Sequence, residues 1–417
     1  MREMKDSGIE WIGEIPCNWK LERSQWHLEE VNISNNPIQT NNVLSLTNKL
    51  GVVPYEEKGN QGNKSKENVY EYKLAYPNTI VANSMNILIG SVGLCDYFGC
   101  VSPVYYVFRA KKYNNIKFLN YVFQTVGFQR ELRKYANGIL EIRLRVSSSD
   151  ILKRFIPFPS EIEQQRIAEF LDRECGKIDG LKADIQAQID TLEQYKRSII
   201  TEAVTHGLNP SAPMKDSGIP WVGQFPTHWT KKKGKYILRY MSKPVKQDDG
   251  VITCFRDGEV TLRSNRREDG FTMADKEIGY QGVDVGDLVV HGMDGFAGAI
   301  GISDSRGKAS PVLNVLNTKQ NKKYIMYYLR SMAYGEVFTA LSTGIRVRSC
   351  DLRWNKLAEL LYPLPPIDEQ NNIINYIDEQ IARTNDIIAD KKSQIETLDG
   401  YKKSLIYEYV TGKKEVV

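Results

Sequence analysis

Apolar residues recur every seven positions in two long stretches of the chain. In the first stretch the row is Ile178, Ile185, Leu192 and Ile199, with Leu181 and Tyr195 on an intervening row. In the second stretch it is Ile381, Ile388 and Ile395, with Leu398 and Leu405. Such a stripe is the face that one helix buries against another. The pattern predicts two long helices packed together as a coiled coil, with burial of each helix in a globular core as the alternative.

The two stretches are copies of one another. Adding 206 to each number carries Ser160–Thr205 onto Pro366–Thr411 without a gap, so that Tyr195-Lys196 recurs as Tyr401-Lys402. Ser160 followed three residues later by Glu163 predicts a capping box at the start of the first helix. The chain is therefore two copies of one unit.

A second repeat, at a spacing of 210, precedes each divergent segment. The segment Lys5–Ile9 with Trp11 and Trp19 recurs as Lys215–Ile219 with Trp221 and Trp229. We expect Trp11 and Trp19 to seat this segment on the helices and not to stack on a ligand.

A third repeat, at a spacing of 208, lies inside the divergent segments. Apolar runs that flank repeated glycines indicate strands joined by tight turns. At one turn the polar residues of the two copies differ, because Asn83-Ser84-Met85-Asn86 aligns with His291-Gly292-Met293-Asp294 and only the methionine is shared. Two domains that recognise different nucleic-acid sequences would need such a shared backbone frame with different polar side chains. The alternative is that these are turn residues that diverged without a role in binding. The candidate contacts here are Asn83, Ser84, Asn86, His291 and Asp294.

Arginines follow a shared Gly-Ile pair just before each long helix. They are Arg143 and Arg145 after Gly138-Ile139, and Arg346 and Arg348 after Gly344-Ile345. Arginine forms both phosphate clamps and bidentate contacts with guanine. Ordinary strands with exposed arginines are the alternative.

Charge is uneven along the chain although its formal net value is only +5. The segment Arg109–Arg145 holds nine basic and two acidic residues, and Thr230–Asp269 holds eleven and six. Basic segments that also carry aromatic and polar residues are typical of nucleic-acid binding. The alternative is that they are solvated loops whose charge only aids solubility. Further candidate contacts in basic segments are Lys64, Lys66, Arg256, Arg263, Arg266 and Arg267.

Composition and motifs exclude several classes of function. The chain has 41% hydrophobic and 26% charged residues, six cysteines without a Cys-x-x-Cys pair, and no apolar run long enough for a membrane span. These features fit a cytoplasmic protein without a metal site. No phosphate loop or adenine-methyltransferase motif occurs, and the glycine run Phe296–Gly301 has a copy at Leu88–Gly93, which makes it a structural turn. A scattered cluster of nuclease carboxylates stays an alternative.

Three repeated motifs together resemble one protein family. They are Lys-Asp-Ser-Gly-Ile-x-Trp-x-Gly-x-x-Pro-x-x-Trp, Pro-x-Pro-x-x-x-Glu-Gln-x-x-Ile at the helix start, and Tyr-Lys-x-Ser-x-Ile near the helix end. Each occurs twice, and together they resemble the specificity subunit of Type I restriction-modification systems over the whole chain. The resemblance implies an α+β protein with two α/β target recognition domains, separated by two long helices paired as an antiparallel coiled coil, in a pseudo-twofold repeat. The corresponding domain boundaries are 1–158, 159–209, 210–363 and 364–417.

The same resemblance implies a function without catalysis in this chain. Members of the family bind a bipartite double-stranded DNA site, one half per recognition domain. They recruit two methylation subunits, which carry S-adenosylmethionine and modify adenine, and motor-nuclease subunits, which use ATP and magnesium. We therefore expect no cofactor, metal or active site here. A stand-alone DNA methyltransferase or nuclease, and a coiled-coil scaffold that never touches DNA, are the rival hypotheses.

Overall fold

The computed structural model describes residues 2–47, 51–58, 68–111, 114–137, 144–266, 278–341 and 352–416. The chain divides into two compact units. Unit 1 consists of Met1–Ile185 and Lys392–Val417, and unit 2 of Gln186–Lys391. The contacts thus divide each long helix between two units, whereas the sequence-based boundaries treat each helix as a segment of its own. The expected α+β class with two domains is confirmed.

Unit 1 contains short strands, three short helices and parts of two long helices. Its strands are β1 (Met4–Asp6), β2 (Glu14–Pro16), β3 (Lys20–Arg23), β4 (Leu28–Glu30), β5 (Leu44–Thr47), β6 (Gly51–Pro54), β7 (Lys73–Ala75), β8 (Thr79–Asn83), β9 (Val92–Cys95), β10 (Gly99–Val101), β11 (Tyr105–Ala110) and β12 (Phe155–Phe158). Its helices are α1 (Ile116–Gln124), α2 (Val126–Arg133), α3 (Ser148–Leu152) and the first part of α4 (Glu161–His206). The largest sheet is antiparallel with the order β4-β11-β8-β9.

Unit 2 repeats this order of elements. Its strands are β13 (Met214–Asp216), β14 (Gln224–Pro226), β15 (Thr230–Lys233), β16 (Leu238–Tyr240), β17 (Ile252–Cys254), β18 (Val260–Leu262), β19 (Gln281–Val283), β20 (Leu288–His291), β21 (Ile300–Ile302), β22 (Gly307–Ala309), β23 (Leu313–Thr318) and β24 (Leu361–Leu364). Its helices are α5 (Gly234–Ile237), α6 (Lys322–Tyr334), α7 (Val337–Ala340), α8 (Trp354–Glu359) and the first part of α9 (Ile367–Val410). The largest sheet has the corresponding antiparallel order β16-β23-β20-β21.

The central strands β8 and β20 each contain a run of three apolar residues, because both faces of the sheet are covered. Ile80 and Ala82 of β8 face a core shared with α1 and the long helices, whereas Val81 faces a second core with β5 and β6. Leu288 and Val289 of β20 divide in the same way between two cores of unit 2. Successive side chains of a strand point to opposite faces, so a continuous apolar run is the expected pattern.

The long helices run antiparallel to each other within each unit. In unit 1, Lys182 of α4 pairs with Asp399 of α9, and Asp179 pairs with Lys402. Residue numbers therefore decrease along α9 in the direction in which they increase along α4. In unit 2, Lys196 Nζ lies 2.8 Å from Asn385 Oδ1, and Lys391 Nζ lies 2.5 Å from Gln188 Oε1. The predicted helix pairing is confirmed within each unit.

One detail of the predicted seam is wrong. Leu181 and Tyr195 were expected on the intervening row, but their side chains are 53% and 51% exposed. The buried intervening position of α4 is Ile189, at 5% exposure. Lys182 and Lys196, seven residues to either side of Ile189, are half-buried. A lysine can occupy such a position because its aliphatic stem covers apolar surface while its ammonium group reaches a polar partner.

Trp19 and its repeat Trp229 seat the opening segment of each unit on a long helix, as predicted for Trp19, whereas Trp11 packs edge-on against Phe128 of α2. Trp19 and Trp229 are buried, and each indole Nε1 donates a hydrogen bond to a glutamate in the first turn of its helix. In α4 this glutamate is Glu163, whose backbone N–H donates to Ser160 Oγ at 3.4 Å. The carboxylate of Glu163 contacts Trp19 and Arg2, so of the predicted capping box the structure shows the hydrogen bond from Glu163 N–H to Ser160.

Candidate functional site

The turn that follows β8 in unit 1 is held by hydrogen bonds among its own residues. Asn83 Oδ1 accepts a hydrogen bond from Met85 N at 3.0 Å, and Asn86 N donates to Asn83 O at 3.1 Å. The turn closes at Gly90, whose φ of 90° lies in the left-handed region that glycine adopts without strain. Asn83 and Ser84 are buried, whereas Asn86 is exposed. Of the three polar residues proposed here, Asn86 presents its amide to solvent.

A neighbouring segment joins this turn through the backbone. Ser84 O accepts a hydrogen bond from Val146 N at 3.1 Å, and the adjacent Arg145 is exposed. Arg145 also exchanges two backbone hydrogen bonds with Asn137, at 2.8 and 2.9 Å. The structure therefore brings Arg145 close to the turn, as the sequence pattern suggested.

The turn that follows β20 in unit 2 has the same construction with different side chains. His291 Nδ1 accepts hydrogen bonds from Met293 N at 3.2 Å and from Asp294 N at 3.0 Å. Gly292 O accepts from Leu352 N at 2.8 Å, which corresponds to the bond from Val146 to Ser84 in unit 1. Asn83 and His291 thus perform the same task, because each places an acceptor atom over the backbone N–H two residues later.

Burial fixes the protonation state of His291. Burial lowers the pKa of the imidazole, nearby Arg256 lowers it further, and Asp294 raises it. The ring is therefore neutral near pH 7, and since Nδ1 accepts two hydrogen bonds, Nε2 carries the proton. Nε2–H is the donor that His291 can offer to a ligand.

Ion pairs neutralise much of the charge of the hairpin β17–β18 beside this turn. Arg256 Nη2 lies 3.0 Å from Asp294 Oδ1. Arg266 pairs with Asp257 at 2.7 Å and with Glu259 at 2.8 Å. Arg263 Nε contacts Thr253 Oγ1 at 3.5 Å. Arg256 thus contacts the turn through Asp294, and both Arg256 and Arg266 are held by carboxylates.

Six of the proposed residues lie outside the described residues. They are Lys64, Lys66, Arg143, Arg267, Arg346 and Arg348.

The sequence-based selection missed a basic surface in unit 2. We call Lys232, Lys233, Lys235 and Arg239 the lysine surface; all four side chains are exposed. Lys233 and Lys235 share Glu359 at 2.7 Å each, and Lys232 and Arg239 have no ion-pair partner among the residues that the structure describes. The excess of basic over acidic residues in Thr230–Asp269 was visible in the sequence. The sequence did not show which of these lysines and arginines form ion pairs.

Helix α8 links the lysine surface to the turn. It begins two residues after Leu352, which bonds Gly292, and ends at Glu359, which bonds Lys233 and Lys235. Between these points Trp354 lies against Tyr240, with ring centroids 5.9 Å apart. The turn, α8 and the lysine surface therefore form one continuous stretch of unit 2.

An exposed aromatic ring occupies the same position in both units. Trp26 is 54% exposed, and Tyr236, which stands 210 positions later, is 73% exposed. The positions equivalent to Lys232, Lys233, Lys235 and Arg239 in unit 1 are Glu22, Arg23, Gln25 and Glu29. The aromatic ring is thus shared, whereas three of the four basic residues of the lysine surface occur in unit 2 alone.

Within the described ranges, no group of three or more His, Cys, Asp or Glu residues could hold a metal ion. None of the helices there has an apolar stretch that could cross a bilayer.

Comparisons with known proteins bear on the resemblance. No protein-family model matches the sequence. The StySPI specificity subunit of a Type I restriction enzyme from Salmonella potsdam is 18% identical over 320 residues, which cover 73% of this chain and 67% of that protein. A chain from a structure on complex assembly and conformational transition of the type I R-M system has a TM-score of 0.67 and 11% identity, covering 96% of this chain and 99% of its own. The HsdS subunit from Thermoanaerobacter tengcongensis has a TM-score of 0.48 and 13% identity, covering 96% and 98%. The resemblance drawn from the repeated motifs is confirmed, in sequence by the first relative and in fold by the second.

Proposed function

We propose that this chain is the DNA-specificity subunit of a Type I restriction-modification system. Each unit reads one half of a bipartite, asymmetric DNA site, and the chain docks the two methylation subunits that modify adenine. The observation that carries this proposal is the repeated turn. Its backbone frame is the same in both units, and its exposed polar side chains differ.

The exposed atoms of the two turns suit different bases. The amide of Asn86 can form a bidentate pair with adenine in the major groove, whereas the carboxylate of Asp294 can accept from cytosine. The Nε2–H of His291 can donate to an acceptor on guanine. Because Asn83 and Ser84 are buried, we assign them to the shape of the turn and its base contacts to Asn86.

Phosphate contacts come from exposed lysine and arginine side chains beside the turns. Arg145 supplies one in unit 1, and the lysine surface supplies several in unit 2, where Tyr236 can pack against the sugar-phosphate backbone. Phosphate contacts fix the register of a protein on the duplex without reading sequence. Arg256 can join them only when Asp294 turns to a base instead.

The chemistry of methylation and cleavage belongs to the partners. S-adenosylmethionine would be held by the methylation subunits, and ATP and magnesium by motor-nuclease subunits, in the cytoplasm. This division of labour agrees with the lack of methyltransferase and phosphate-loop motifs in the full sequence. Purified chain alone should therefore transfer no methyl group to DNA.

The decisive experiment is sequencing of adenine methylation in a host that expresses the chain with its methylation subunits. We expect one bipartite motif that disappears when the chain is deleted. Replacing Glu22–Pro157 with the same segment of a relative should change one half of the motif and preserve the other. Methylation that persists without the chain, or a swap that changes both halves, would contradict the proposal.

A further inference from the structure

A groove of about 760 Å³ runs along the end of α4 in unit 2. Its walls include Tyr195, Ile199, Ala203, Leu208 and Tyr376. Tyr195 and Leu208 are 51% and 40% exposed, so apolar surface faces solvent here. We call it the α4 groove.

The equivalent residues of unit 1 show what the α4 groove lacks. At a spacing of 206, Ala203 corresponds to Tyr409, and Tyr376 corresponds to Phe170. In unit 1 the ring of Tyr409 lies against Phe170, with centroids 4.3 Å apart. Unit 1 therefore has two aromatic rings where unit 2 has one ring and the methyl group of an alanine.

The α4 groove also lacks an ion pair that unit 1 has. In unit 1, Lys414 pairs with Glu408 at 2.7 Å. The equivalent residues of unit 2 are Leu208 and Glu202. The side chain of Glu202 is 71% exposed and has His206 Nδ1 at 3.5 Å, so it lacks the lysine that its counterpart has. Compared with unit 1, the α4 groove is short of one aromatic ring and one cation.

The wall residues from Tyr195 to Glu202 are nearly the same in both units, whereas His206, Gly207, Asn209 and Pro210 correspond to Gly412, Lys413, Glu415 and Val416. Tyr195 and Ser198 recur as Tyr401 and Ser404, and Ile199 recurs as Leu405. The groove is thus a repeated feature that unit 1 fills with its own Tyr409 and Lys414.

We propose that the α4 groove receives an aromatic side chain and a neighbouring lysine or arginine from a protein partner. The ring takes the place against Tyr376 that Tyr409 takes against Phe170, and the cation pairs with Glu202. A buried aromatic ring gains both apolar contact and a preferred ring geometry, which makes it a strong anchor for an interface. This inference rests on the proposed function, because the partner to be tested is a methylation subunit.

The test transfers the filling of unit 1 into unit 2. In the full-length chain, Ala203→Tyr with Leu208→Lys should fill the groove, and the methylation subunit of the same host is the probe. Titration and native mass spectrometry of the complex should show at least a tenfold loss of affinity at one of the two subunit positions. DNA affinity and thermal unfolding report whether the variant is folded.

A second variant avoids any burden on folding. Glu202→Arg changes an exposed charge and should weaken the same position, because the partner's cation is repelled. The matched change Glu408→Arg in unit 1 should leave binding of the methylation subunit at the wild-type level. Folded variants of unit 2 that bind two methylation subunits with wild-type affinity would overturn the groove assignment alone. A wild-type chain that binds no methylation subunit would overturn the proposed function as well.

Discussion

The indole Nε1 of Trp19 donates a hydrogen bond to Oε2 of Glu163 at 2.9 Å. Trp19 belongs to the opening segment of unit 1, and Glu163 lies in the first turn of α4. Trp229 makes the same bond to Glu369 in unit 2, at 3.0 Å. One repeated hydrogen bond thus ties the start of each unit to its own long helix.

Replacing Trp19 with phenylalanine should destabilise unit 1. The variant removes the donor and leaves a small cavity, so we expect a loss of about 2 kcal/mol in the free energy of unfolding. Hydrogen-exchange mass spectrometry should show the loss in peptides of unit 1. Trp229→Phe is the matched variant, and its effect should appear in unit 2. Equal loss of protection in both units for each variant would contradict this assignment.

Acid should weaken unit 2 before unit 1. Hydrogen bonds from Arg306 lower the pKa of Asp249 to about 2, and Lys243 followed by Arg306 lowers the pKa of Asp284. A folded-state pKa below the unfolded value of about 3.9 stabilises the fold above that value, and the stabilisation is lost as the pH falls towards 2. The equivalents of Asp284 and Arg306 in unit 1 are Tyr76 and Phe98, which form a ring contact that does not titrate in acid.

Hydrogen exchange between pH 5 and pH 2 measures this difference, after correction for the intrinsic exchange rate. Peptides around Asp249 and Arg306 should lose protection earlier than the equivalent peptides of unit 1. Asp249→Asn should lower stability at neutral pH and make the remaining stability less dependent on acid. An acid response that is the same in both units would show that the ion pairs contribute little.

Changes at the exposed turn residues should alter recognition in one half-site at a time. Asn86→Ala removes a potential bidentate base contact worth about 1–3 kcal/mol, which corresponds to roughly a 5- to 150-fold loss of affinity for the cognate half-site. Asp294→Asn should relax or change the other half. The measurement is the methylated motif together with DNA affinity on half-site variants. Asn83→Ala is the contrasting variant, because loss of a buried acceptor should reduce stability and not change the motif.

The lysine surface should account for much of the salt dependence of DNA binding. Lys232→Gln, Lys235→Gln and Arg239→Gln together should lower the log-log salt slope by about 0.9 for each phosphate that the variant no longer neutralises. Lys403→Gln on the exposed face of α9 is the control and should leave the slope unchanged. The sequence alone favoured Arg263, Arg266 and Arg267 for this role, but Arg266 is already held by two carboxylates. A larger change of slope from those three arginines would reverse this ranking.

Repetition allowed much of the architecture to be predicted from sequence. The spacings of 206, 208 and 210 located the long helices, the paired strands and the burial of Trp19. The seam was predicted less well, because hydrophobic periodicity gives no weight to a lysine such as Lys182 whose stem is half-buried. The ion pair of Asp249 with Arg306 joins residues far apart in sequence, and no local pattern marks it.

The shared frame of the two turns was predicted from sequence, but the role of each side chain within the turn was not. Asn83 and His291 differ in sequence, and that difference indicated a difference in recognition. In the structure both supply an acceptor atom to the same turn. Sequence divergence cannot separate two side chains that do the same local work from two that contact different ligands. Exposure separates the residues that hold the turn from those that can contact a ligand, since Asn83 is buried and Asn86 is exposed.

Unit 1 combines the beginning of the chain with Lys392–Val417, and this has a consequence for synthesis on the ribosome. Leu405, Ile406 and Val410 belong to the same core as Trp19 and Ile167. All of Gln186–Lys391 must be translated before those residues exist, which takes about 10–40 s at an elongation rate of about 5–20 residues per second. The second unit can close its core first, while the apolar surface that awaits Val410 stays open to solvent. During that interval the nascent chain is most exposed to aggregation, and a chaperone that binds early should bind the first unit.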